Sequence, residues 1–111
     1  MTYRFVVDHQ TAVFQALADP SRRAIYARLA GGEAPVKDLV AGSGISQPAV
    51  SQHLAKLRGA GLVVERRDGR LVYYRAKPDG LRPLVDWLEH YRAFWPERVD
   101  RLEALLKEMD G

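Results

Sequence analysis

The chain has 111 residues, a net charge of +3 and no cysteine. That length suits one domain with a small core, and the missing thiols exclude disulfides, thiolate metal sites and thiol redox sensing. No apolar run is long enough to cross a bilayer, and MTYRFVVDHQ has too short an apolar core for a signal peptide, so a cytoplasmic setting is expected.

The first predicted element is a short amphipathic helix over HQTAVFQALA, with Val13, Phe14 and Leu17 on one side. Asp19-Pro20 then supplies a cap followed by proline at the first helical position, and the helix SRRAIYARLA closes at Gly31-Gly32. Arg22 and Arg23 sit at its start, where positive charge opposes the helix dipole. A phosphate contact or an ion pair would each offset that cost. PVKDLVA forms a third short helix, ended by Gly42-Ser43-Gly44, with Gly44 expected at positive φ.

Ser46 caps the next helix, and Pro48 falls in its first turn, where a missing N–H costs nothing. In SQPAVSQHLAKL the apolar residues Val50, Leu54 and Leu57 form one narrow stripe. The opposite side carries Pro48, Ser51, Gln52, Ala55 and Gly59, flanked by Ala49 and Lys56. It holds no acid and several small residues, a surface suited to close approach by another body. Two short helices joined by a glycine turn match a helix-turn-helix. LVVERR and RLVYYRA then read as a two-stranded β-hairpin around Asp68-Gly69, with Arg66, Arg67 and Arg70 beside the turn. A helix-turn-helix followed by a basic-tipped hairpin is a winged helix.

From about Asp79 the chain reads as helical again, with an apolar line through Leu81, Leu84, Leu88, Tyr91, Trp95, Val99, Leu102, Leu106 and Met109. Trp87, Phe94 and Leu105 widen it, and Pro96 should kink or break the helix. So much aromatic surface exceeds what a small core needs, and a homodimer interface is expected there. The fold class expected is mostly α with a two-stranded hairpin (α+β), one domain over 1–111. Its DNA-binding core spans 9–78, and 79–109 forms a dimerisation helix together with the N-terminal helix.

Charge supports a polyanion partner. Residues 1–45 carry net +1, residues 46–78 net +5 and residues 79–111 net −3, so positive charge clusters on the unusual helix and the hairpin after it. FQALADPSRRAIYARL, followed by PVKDLVAGSGISQPAVSQHLAKLRGAGLVVERRDGRLVYYRA, resembles the ArsR/SmtB family of bacterial winged-helix transcriptional repressors. The resemblance covers roughly residues 10 to 76. It implies a homodimer built from the first and last helices that binds a palindromic operator in double-stranded DNA. It also implies that the helix matching SQPAVSQHL enters the major groove.

On that footing Gln47, Ser51 and Gln52 are candidates for base edges. Ser46 and Lys56 are candidates for phosphate, and Pro48 for permitting close approach. His53 lies at the edge of the apolar stripe, where packing and phosphate contact are both open readings. Arg66, Arg67 and Arg70 would reach the backbone or minor groove. The expected dimer residues are Val13, Phe14, Leu17, Leu84, Trp87, Leu88, Tyr91, Phe94, Trp95 and Leu102.

No cofactor and no metal site is expected. The third-helix positions that hold cysteines in some relatives are Ala34, Val36 and Lys37 here, and Asp86 and His90 make only an i, i+4 pair. An organic effector lodged among the interface aromatics stays open, as does a winged helix used only to bind proteins. No phosphate loop or nucleophile-base arrangement points to an enzyme.

Overall fold

The computed structural model describes residues 8–92 and 96–110. Its elements run α1 (His9–Leu17), α2 (Pro20–Ala30), β1 (Ala34–Pro35), α3 (Val36–Val40), α4 (Gln47–Gly59), β2 (Val63–Asp68), β3 (Leu71–Ala76), α5 (Arg82–Arg92) and α6 (Pro96–Asp110). The helix starts follow the caps. The Asp8 carboxylate accepts from the Thr11 N–H at 2.7 Å, Asp19 from Arg22 at 3.0 Å and Ser46 from Ala49 at 3.3 Å. Each bond satisfies one of the donors a helix start leaves unpaired.

The core lies where α1, α2, α3 and α4 converge on the sheet. Val13, Leu29, Val50, Leu54, Leu57, Leu62 and Val63 are its fully buried large side chains. The predicted stripe of α4 is therefore its buried face, and everything on the opposite side of that helix is solvent-facing. Gly42 and Gly44, with φ near +75° and +77°, turn the chain between α3 and α4.

The expected hairpin is present, and the structure adds a third strand to it. The sheet order is β1-β3-β2, all antiparallel, with Ala34 opposite Tyr74 and Pro35 opposite Tyr73. A proline is tolerated there because β1 is an edge. Asp68 pairs with Leu71, so the two loop residues are Gly69 and Arg70, with only the glycine at positive φ. Gly-first is the residue order of a type II′ hairpin loop, and it puts Arg70 at the tip.

The C-terminal run is two helices. Arg92, in the last turn of α5, reaches Asp100 at 2.9 Å and Glu103 at 3.2 Å. In one straight helix those residues would lie about 12 and 16 Å further along the axis, beyond an arginine's reach, so α5 and α6 meet at an angle. Among the described residues no helix is long and apolar enough to cross a membrane.

Candidate nucleic-acid interface

Because Val50, Leu54 and Leu57 anchor α4 with at most 1% of their surface exposed, the helix cannot roll without emptying the core. That anchoring presents Ser46, Gln47, Pro48, Ser51, Gln52, Ala55 and Lys56 to solvent together. Of these, Ser46 already accepts the Ala49 N–H, so its hydroxyl serves the helix first.

The wing divides its arginines by parity. Successive residues of a strand point to opposite faces, and residues paired across antiparallel strands share one. Val63, Glu65 and Arg67 share a face with Ala76, Tyr74, Val72 and Ala34. Val63 and Ala34 are buried, at 1% exposure each, so this is the inner face. Arg67 therefore lies with Gln47, Ser51, Val72 and Tyr74 along a groove between the wing and the start of α4, with Arg70 at its mouth. Arg66 falls on the outer face with Tyr73 and Pro35. It is not equivalent to its neighbour.

The groove holds one acid, and that acid is already occupied. Glu65 is bridged by Arg58 at 2.9 Å and accepts the Tyr74 hydroxyl at 3.0 Å. Partial burial, and then this bond to a carboxylate, push the Tyr74 phenol above its ordinary value. Lys37, in α3, also lines the groove, a residue the sequence reading treated only as a missing metal ligand. Nothing among the described residues forms an ion pair with Lys37, Lys56, Arg67 or Arg70, so four exposed cations stand beside the polar side of α4.

Arg66 is engaged elsewhere. Its Nε and one Nη donate to the two Glu33 carboxylate oxygens at 3.2 and 2.7 Å, and its guanidinium lies 4.6 Å from the centre of the Tyr73 ring. Hydrogen bonding from Arg66 holds the Glu33 carboxyl below its usual range, and the same bond raises the guanidinium.

Arg22 and Arg23 find partners in the preceding helix. Arg22 donates through Nε to the Ala16 carbonyl at 2.7 Å and through an Nη to Gln15 at 3.3 Å, while Arg23 donates to Leu17 at 2.7 Å and Ala18 at 3.2 Å. Both cap the carbonyl end of α1, where positive charge is favourable, which offsets their position at the start of α2. The other Nη of Arg22 lies 3.4 Å from His53 Nδ1. His53, half-buried, thus packs against Arg22 at the edge of the apolar stripe.

On the far side, Phe14 and Trp87 meet edge to face at 5.2 Å, and Trp87 and Tyr91 lie 4.8 Å apart. Phe14, Trp87, Leu88, Tyr91 and Leu102 are all exposed. Val13 corrects the expected set of dimer residues. It is 0% exposed and belongs to the protomer core, because α1 turns the Val13/Ala16 line inward and Phe14 outward. Leu17 and Leu84 are half-buried against that same core. Phe94 and Trp95 lie outside the described residues. The Asp86 carboxylate is paired with Arg82 at 3.2 Å.

Comparison with known proteins places these features. A helix-turn-helix domain family matches residues 17–66. The chain is 45% identical over 93 residues to the HTH-type transcriptional regulator Rv2034 of Mycobacterium tuberculosis, covering 84% of each. It is 33% identical over 79 residues to the transcriptional repressor SdpR of Bacillus subtilis, covering 71% of this chain and 88% of that one. Against several other relatives it spans between 53 and 62% of their length. Among solved structures, an ArsR family transcriptional regulator, RHA00566, superposes with a TM-score of 0.75 at 28% identity, covering 81% of this chain and 99% of that one.

Proposed function

From membership of the ArsR family of winged helix-turn-helix DNA-binding transcriptional regulators, to which this chain belongs, we propose that it is a homodimeric repressor acting in the cytoplasm on a palindromic operator. The observation that carries the reading is the groove in which Gln47 and Ser51 of α4 lie beside Arg67 and Arg70 of the wing. A helix presenting amide and hydroxyl groups to the major groove, flanked by cations on a strand pair, meets base edges and phosphates in one approach.

In this reading Gln47, Ser51 and Gln52 read bases, and Pro48 lets the backbone close in. Lys37, Lys56, Arg67 and Arg70 take phosphates or the minor groove. The core over 9–78 binds DNA, and the Phe14–Trp87–Tyr91 face with Leu88 and Leu102 joins two copies. A two-fold pair puts two α4 helices on successive turns of DNA, which is why the operator should be palindromic. Repression follows because a bound dimer occludes the promoter, and SdpR, a relative at 33% identity, is named a transcriptional repressor.

Footprinting on the DNA upstream of its own gene tests this. Protection of two half-sites about 10–10.5 base pairs apart is expected, with transcription from that promoter falling as protein is added. Binding with no sequence preference at any salt would refute it.

A further inference from the structure

We propose that Arg66 is a positioning residue: with Glu33 and Tyr73 it forms a strap across the outer face of the sheet that sets how the wing presents Arg67 and Arg70. The inference rests on the reading that the wing meets DNA.

The strap spans the sheet from edge to edge. Arg66 is on β2, its cross-strand partner Tyr73 is on the central β3, and Pro35, opposite Tyr73, is on β1. Glu33 stands just before β1. The guanidinium passes over the Tyr73 ring at 4.6 Å and ends on both Glu33 oxygens. A fork engaged in this way no longer offers that edge to a phosphate, and Asp68 lies 3.8 Å from the remaining Nη. Arg66 is thus flanked by acid on both sides, which a phosphate ligand would not be.

The wing needs such a tie. Every residue from Glu65 to Leu71 is exposed, so no core lies beneath the distal half of the hairpin, and a bare two-stranded ribbon holds its shape poorly in water. A wing that wanders must be ordered at the moment of binding, which weakens affinity. Fixing it through Arg66 removes that cost for Arg67 and Arg70.

The test exploits a difference of sign. Removing an acid beside a polyanion interface ordinarily tightens binding. The strap predicts the reverse for Glu33→Gln: affinity for the operator falls about two- to fivefold, the scale of one exposed ion pair. Affinity is measured against salt for Glu33→Gln, Arg66→Gln, the double variant and Arg70→Ala, with thermal melts to confirm folding. Support requires that Glu33→Gln weaken binding with an unchanged salt slope, and that the double variant be no weaker than Arg66→Gln. It also requires that Arg70→Ala flatten the slope by about one. Tighter or unaltered binding by Glu33→Gln overturns the strap. A slope reduced by Arg66→Gln as much as by Arg70→Ala does so too, since Arg66 would then be a phosphate contact. If Arg70→Ala changes neither affinity nor slope, the wing itself is not at the DNA, and the strap falls with that premise.

Discussion

Replacing Trp87 by alanine should dissociate the proposed dimer. Trp87 is 37% exposed in the protomer, and of the roughly 250 Å² a tryptophan can bury this leaves about 90 Å² for a partner to cover. At about 25 cal/mol per Å² that area contributes roughly 2.3 kcal/mol. A two-fold interface contains the residue twice, so the pair loses about 4.5 kcal/mol, which weakens dimerisation by more than about a thousandfold. Sedimentation equilibrium over a wide concentration range reads the change directly. A melting curve beside it checks that losing the Phe14 and Tyr91 ring contacts has not unfolded the protomer. A folded variant whose dimer dissociation constant stayed within about tenfold of the parent would refute the assignment of this face.

Three further outcomes are expected. Gln47→Ala should relax sequence preference at one base pair by about 1–3 kcal/mol, and equal losses on the footprinted duplex and a scrambled one would argue against base reading. Gly80→Ala should lower the melting temperature by roughly 5–15 °C, because a Cβ there would stand 2.7 Å from the Gly61 carbonyl oxygen and 3.0 Å from Leu62 Cα; an unchanged melt would mean that this main-chain contact yields easily. The Arg22 N–H bond, and to a lesser degree the Arg22 and His53 charges, hold the Asp19 carboxyl below 3.8. A depressed carboxylate stabilises in full above its unfolded value and loses that contribution as pH falls through the folded one. The melting gap between the parent and Asp19→Ala should therefore be constant near neutrality and close below about pH 3.8, and a gap that widened with acid would contradict the sign.

The helix starts were legible because each rests on a local signal: Asp19-Pro20, Ser46 two residues before Pro48, and glycine between α3 and α4. The strand Ala34–Pro35 was not. Two residues carry no alternation, and a proline reads as a break; only the pairing with Tyr73 and Tyr74 makes them a strand. The wing arginines show a different limit. Leu62 and Val63 are both buried, so counting alternate residues from one or the other puts Arg66 or Arg67 inward with equal justification. The register to Ala76 decides it. Val13 was misassigned because it was put on one side of α1 with Phe14 and Leu17, whereas the helix buries Val13 with Ala16 and turns Phe14 toward Trp87 of α5. Arg22 and Arg23 found a third solution, the carbonyl end of the preceding helix, which no spacing rule within their own helix could show.

The passage from α4 to α5 is built of main chain against main chain. The Lys77 N–H donates to the Leu62 carbonyl at 2.9 Å, and Gly80 is buried against Gly61. Two α1 side chains brace the same joint: His9 Nε2 stands 3.2 Å from the Ala60 carbonyl oxygen, and Gln10 donates to the Pro83 carbonyl at 3.4 Å. In a symmetric pair the distance between the two recognition helices then behaves as a ruler with fixed marks. Inserting one base pair between half-sites turns one of them by about a tenth of a helical turn, and the DNA, rather than the protein, would have to bend to restore the fit.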